Sequence, residues 1–189
     1  MTHPVNIGST RSPDLYVGVM EPYRYGDDDT SYRIGGSFLS GSMLVEDWGC
    51  GAGWAKQFIH APYVGVDGCW SLFADKQVSL STYSTEVPRI FMRHVLEHNW
   101  DWRVILENLL NSFTDRAVII LFIKPGEEDV NLSASDYSET SEWPGLQLCE
   151  KDLVEIMSSH KDVLVRYDDL TTRTAPYNFE RIYFLEKTK

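Results

Sequence analysis

Three glycines alternate in Asp47-Trp48-Gly49-Cys50-Gly51-Ala52-Gly53, and the apolar run Tyr63-Val64-Gly65-Val66 ends in a second acid, Asp67, followed by Gly68. Glycines in a strand-to-helix turn tolerate positive φ and let a ligand approach backbone N–H groups closely. A carboxylate at the end of the next strand can accept hydrogen bonds from both hydroxyls of a ribose. Together these residues describe a nucleoside pocket. Spacing removes two common versions of it. A dinucleotide fingerprint needs GxGxxG, and counting from Gly49 and Gly51 puts Trp54 where the third glycine should stand. A phosphate-binding loop needs Gly-Lys-Ser or Gly-Lys-Thr, and no such triplet follows.

A second cluster, Phe91-Met92-Arg93-His94-Val95-Leu96-Glu97-His98, sets two imidazoles four residues apart, a spacing that puts them on one face of a turn. Histidine titrates in the range useful to a general base, so His94 and His98 are the catalytic candidates. Val95 and Leu96 read as core, and Glu97 as a carboxylate at a helix start.

Strands and helices must place these groups at one end of a sheet. Leu44–Asp47, Tyr63–Asp67 and Ile90–Arg93 read as strands, with a short helix over Trp54–Ile59. Trp102, Ile105, Leu106, Leu109, Leu110 and Phe113 recur at helical spacing, and the β-branched run Ala117–Ile123 suits a central parallel strand that Lys124-Pro125-Gly126 stops. Glu150–Ser159 reads as a helix, followed by strands at Val163–Tyr167 and Arg181–Glu186; the residues between those strands include Pro176 and can close an antiparallel pair. Between Asp67 and Ile90 there is little room for a helix, so one crossover should be shortened. Residues 1–41 hold Pro4, Pro13, Pro22 and Asp27-Asp28-Asp29 and read mostly as loop with a short helix near Ser31–Leu39, a cover segment ahead of one domain over residues 42–189. Alternating strands and helices imply a mostly parallel sheet with right-handed crossovers.

In this arrangement, Asp-x-Gly-x-Gly-x-Gly with Asp67 ending the second strand, the chain resembles the class I S-adenosylmethionine-dependent methyltransferases. The segment from Phe91 to His98 is similar to the "vLEH" segment that follows the fourth strand in many small members. The resemblance covers about Met43 to Lys189. It implies an α/β, doubly wound, mostly parallel seven-stranded sheet with an antiparallel last strand. It also implies S-adenosyl-L-methionine as cofactor, S-adenosyl-L-homocysteine as product, and O- or N-methylation of a small molecule or glycan. Asp67 and Gly68 would meet the ribose, and Asp47 the ammonium group, directly or through water. Trp48, Gly49, Cys50, Gly51 and Gly53 would offer close backbone approach. Trp70 would stack on adenine or be a core or rim tryptophan. Asp75, the only acid between Asp67 and Glu86, would meet the adenine or be a plain surface acid. The backbone of Met92, Arg93 and His94 would pass beside the cofactor at the switch point. In that family the histidine often has a structural or cofactor-side role, which stands beside the base reading. Two rival functions are methylation of a protein or RNA, with residues 1–41 as the docking element, and cofactor binding without catalysis.

Composition narrows the partners. A formal net charge of -11 repels a polyanion, which argues against non-specific nucleic-acid binding. Three cysteines without CxxC spacing suggest neither a disulfide framework nor a zinc site, so no metal is expected. No apolar run approaches the roughly 18 residues of a membrane span, and no signal-peptide pattern opens the chain, so a cytoplasmic monomer or homodimer off the membrane is the expectation. Pro125–Glu150 carries Glu127, Glu128, Asp129, Asp136, Glu139, Glu142 and Glu150 without one Lys or Arg, as a solvated surface or a lid that favours a cationic or neutral substrate. Tyr23-Arg24-Tyr25 and Tyr32-Arg33 can cover the other side, with Arg24 or Arg33 set to pair with the cofactor carboxylate.

Overall fold

The computed structural model describes residues 15–24, 26–132, 144–173 and 178–188. Pro4, Pro13, Tyr25, Asp136, Glu139, Glu142 and Pro176 of the sequence reading lie outside them. Among the described residues no helix is long and apolar enough to cross a membrane.

The elements are α1 (Thr30–Phe38), β1 (Val45–Trp48), β2 (Tyr63–Asp67), β3 (Lys76–Gln77), β4 (Val87–Arg93), α2 (Trp102–Ser112), β5 (Phe113–Leu121), β6 (Val130–Asn131), β7 (Leu146–Gln147), α3 (Glu150–Ser159), β8 (Val163–Thr171) and β9 (Phe179–Lys187). Seven strands form one sheet in the order β3-β2-β1-β4-β5-β9-β8, and β6 pairs with β7 apart from it. Within the seven, β9 runs antiparallel to both neighbours, whereas β1, β2, β3, β4 and β5 pair in parallel. The expected doubly wound sheet with an antiparallel last strand is therefore present.

Two apolar layers hold it. On one face Trp48, Met92 and Ile119 pack with Ile105, Leu106, Leu109 and Leu110 of α2 and Leu153 and Met157 of α3. On the other, Val45, Phe91, Val118, Ile120 and Phe184 meet Tyr32 of α1, Ala55 and Ile59. All four residues of β1 are buried, as a central strand covered on both sides requires.

Several boundaries differ from the sequence reading. The helix expected at Trp54–Ile59 is a 3-10 turn over Trp54–Gln57, entered through Gly53 at φ 73 and followed by Pro62 just before β2. Lys76–Gln77 is a strand that no periodicity announced, and it serves with its flanking loops as the shortened crossover. β4 begins earlier, at Val87, because a register shift between Val87 and Arg89 absorbs Pro88, which cannot donate to the ladder. β5 starts directly on α2 at Phe113 and stops at Leu121, and β8 continues to Thr171.

Candidate active site

At the carboxyl ends of β1 and β2 the glycine turn is fixed by bonds from below. Gly49 and Cys50 donate their N–H groups to the Val66 carbonyl at 2.7 and 3.2 Å, and Gly51 donates to Asp67 Oδ2 at 2.8 Å. Asp67 Oδ1 accepts from the Cys69 N–H at 2.7 Å, and the Ser71 hydroxyl donates to the Gly51 carbonyl at 2.6 Å. Gly49 adopts φ 79, and a Cβ there would stand 2.2 Å from Val95 Cγ2. At Gly51 a Cβ would meet the Tyr16 hydroxyl at 2.7 Å. Both positions combine left-handed backbone with no room for a side chain, so glycine is required.

The opposite wall begins where β4 ends. His94 takes φ 56, a conformation uncommon for a residue with a side chain, and its N–H donates to the Ile120 carbonyl at 2.9 Å. Its ring lies 4.7 Å from that of Phe122, and its Nε2 lies 2.8 Å from Glu180 Oε1 on β9. The same oxygen accepts from Arg93 Nε at 3.0 Å, Arg93 Nη2 at 2.7 Å and the Ser31 hydroxyl at 3.0 Å. Arg93 Nη1 donates to the Tyr32 hydroxyl at 2.7 Å. Burial raises the Glu180 carboxyl and the Arg93 guanidinium opposes it. The two N–H donors of that guanidinium hold it as a carboxylate. A carboxylate only accepts, so His94 carries its proton on Nε2 and Nδ1 is its basic nitrogen. His98 is set the other way round. Its Nδ1 lies 3.0 Å from the Pro144 carbonyl and must donate, so Nε2 is basic there.

Between the two walls runs a cleft. It is lined by Tyr16, Gly49, Asp67, Gly68 and Cys69, by Ser79 and Leu80 beyond β3, and by His94, Val95, His98 and Asn99. Of the residues singled out in the sequence, Gly49, Asp67, Gly68, His94 and His98 thus come together. Others sit elsewhere. Asp47 is buried beneath the turn and accepts from the Tyr63 hydroxyl at 2.6 Å, which places its carboxylate off the cleft lining. Burial, opposed by that bond and reinforced by the neighbouring Asp67 charge, pushes its carboxyl up to about 7. Trp48 and Met92 are wholly buried in the core, and Arg93 turns toward α1. Cys50 is buried with its thiol 3.6 Å from the Phe73 carbonyl, while Trp70 is half-buried. Asp75 precedes β3, is exposed, and accepts from the Gly65 N–H at 2.8 Å. Arg24 and Arg33 both pair with Asp29, at 3.1 and 3.8 Å.

Glu97 is fully buried, with its Oε1 accepting from the Phe122 N–H at 2.6 Å, and burial pushes it up to about 7. It ties the turn after β4 to the end of β5. The sequence reading missed Tyr16, Ser79, Asn99, Phe122 and Glu180. For Tyr16, Ser79 and Glu180 no local pattern existed; Asn99, directly after the histidine turn, was open to inclusion.

No protein-family model matches the chain, and no curated protein matches it. Solved structures do. Magnesium protoporphyrin IX methyltransferase (ChlM) from Synechocystis PCC 6803 with bound SAM aligns over 85% of this chain and 79% of its own, at TM-score 0.60 and 14% identity. The 1,6-didemethyltoxoflavin-N1-methyltransferase of Burkholderia thailandensis, with its acceptor and S-adenosylhomocysteine bound, aligns over 86% and 80%, at TM-score 0.61 and 15% identity. The [4+2]-cyclase SpnF aligns over 98% of both chains, at TM-score 0.66 and 13% identity. The chain has the class I methyltransferase fold. Within that fold the cleft lies outside the carboxyl ends of β1, β2 and β4, where open α/β sheets hold their ligands.

Proposed function

We propose that this chain is an S-adenosylmethionine-dependent methyltransferase acting on a small-molecule or sugar acceptor. The observation that carries the reading is that Asp67, the Gly49 turn and both histidines line one cleft. The glycine turn allows backbone contact with a ligand, and Asp67 brings a carboxylate to the same cleft. Asp67 and Gly68 would hold the ribose, and Ser79 with Leu80 the adenine. Asp47, at the start of the turn, ties β1 to β2 through the Tyr63 hydroxyl. When bound, the cofactor supplies an electrophilic methyl group on a sulfonium. The chain's own share is positioning, exclusion of water and a proton acceptor. His94 and His98 are the side chains that can take a proton from an acceptor hydroxyl, and Glu180, 2.8 Å from His94 Nε2, stabilises the imidazolium that forms there. Tyr16, ahead of α1, helps to cover this cleft.

Incubation with methyl-labelled S-adenosylmethionine and parallel panels of small hydroxyl or amine compounds, structured RNA and protein tests the assignment. Label in a small-molecule fraction supports it. Label confined to RNA or protein would replace it with the macromolecular reading, and binding without label in any fraction with the non-catalytic one.

A further inference from the structure

The sheet ends in two unlike edges. At one end β3 is two residues long and begins with Lys76, whose Nζ sits 2.7 Å from Glu46 Oε1. At the other end β8 runs nine residues in unbroken register with β9. Its sequence Val-Leu-Val-Arg-Tyr-Asp-Asp-Leu-Thr holds neither proline nor lysine. Edge strands are usually blunted by shortness, lysine, proline or a bulge, because their outer N–H and C=O groups are ready to pair with another strand. Among the described residues β8 is exposed along most of its length. Leu164, Val165 and Tyr167 are 64%, 38% and 51% exposed.

This strand is complementary to itself. In an antiparallel pair with a two-fold axis at Tyr167, Arg166 stands opposite Asp168 of the second copy, twice, and Leu164 opposite Leu170, twice. Arg166 Nη1 and Asp168 Oδ2 lie 3.8 Å apart within one chain and both side chains are more than half exposed, so the charges already share a face. Shifting the axis one residue sets Arg166 against Arg166 or Asp168 against Asp168. Opposite charges across an antiparallel pair stabilise it and like charges oppose it, so one register is selected and its neighbours are disfavoured.

We propose that β8 is the seam of a two-fold dimer of this chain, in which a second copy's β8 continues the sheet in the register centred on Tyr167. The seam is independent of the methyl-transfer reading. One strand pair covers less than the roughly 1,200 Å² of a standard interface, so a dissociation constant of about 10–100 μM is expected. The charge of -11 on each copy calls for measurement near physiological salt.

Sedimentation velocity over about 5–500 μM should show wild-type chain passing from monomer to dimer. Asp168→Arg should leave a folded monomer, and adding Arg166→Asp to it should restore the dimer by exchanging the paired charges. Under mild oxidation Tyr167→Cys should cross-link to its own copy, whereas wild type, with Cys50, Cys69 and Cys149 buried, should not. Wild type monomeric at every concentration would overturn the proposal. So would an undiminished dimer in Asp168→Arg, or a folded charge-swapped chain that stays monomeric.

Discussion

The two walls of the cleft hold their ligand-facing groups by different means. On the glycine side the bonds of the turn to Val66, Asp67 and Ser71 join residues within about twenty positions of one another, and those to Val66 are backbone to backbone. On the histidine side one carboxylate oxygen of Glu180 gathers Ser31, Arg93 and His94 across separations of 149, 87 and 86 positions. The first wall is a local turn that the sheet displays. The second exists only once α1, β4 and β9 are packed. Perturbing the glycine side should mainly affect the ligand site and its immediate packing, and perturbing the histidine side should affect the fold together with the chemistry.

The largest effect tests that contrast. Glu180→Ala leaves the Arg93 guanidinium buried without its carboxylate and should destabilise the chain by about 3–5 kcal/mol in chemical denaturation. A loss under about 1 kcal/mol would mean that the histidine wall stands without this ion pair. Next comes Gly49→Ala, which adds a methyl at φ 79 against Val95 Cγ2. Strain and overlap together should remove about 2–4 kcal/mol, and Val95→Ala in the same chain should recover the overlap part. If the double variant is no more stable than Gly49→Ala plus the loss from Val95→Ala alone, steric conflict is not the cause.

A smaller effect concerns pH. Burial raises Asp47 from 3.8 to about 7 in the folded chain, so the folded state binds the proton more tightly than the unfolded one. Its contribution therefore favours folding below the unfolded value and is lost as pH rises through about 7. Asp47→Asn, which keeps an acceptor for the Tyr63 hydroxyl, should flatten the decline in stability between about pH 4 and 7 by about 1–3 kcal/mol. A steeper decline in the variant would reverse the sign of this account. The smallest contrast separates two cleft assignments. Ser79→Ala should weaken S-adenosylhomocysteine binding by about 0.5–1.5 kcal/mol, and Asp75→Ala should leave it within about 0.5 kcal/mol. Equal losses would return Asp75 to the adenine end.

What the sequence disclosed follows the same division. The glycine turn and Asp67 were legible because spacing within a short window encodes them, the seven-stranded sheet through the family resemblance those motifs carry, and α2 because six apolar residues kept helical period. β3 was not legible, since two residues, Lys76 and Gln77, carry no period. Glu180 and Tyr16 left no trace, because their partners are set by packing across the molecule. His94 was found through its neighbours in the chain, but the carboxylate that fixes its tautomer was not.

The central claim is that Asp67 and the glycine turn hold a nucleoside cofactor. Calorimetric titration of wild type and Asp67→Ala with S-adenosylhomocysteine tests it most directly. The account predicts saturable binding to wild type, weakened by roughly 1.5–3 kcal/mol, about 10- to 150-fold, in the variant. No heat and no thermal shift with wild type at millimolar ligand, or equal affinity in the two chains, would contradict it.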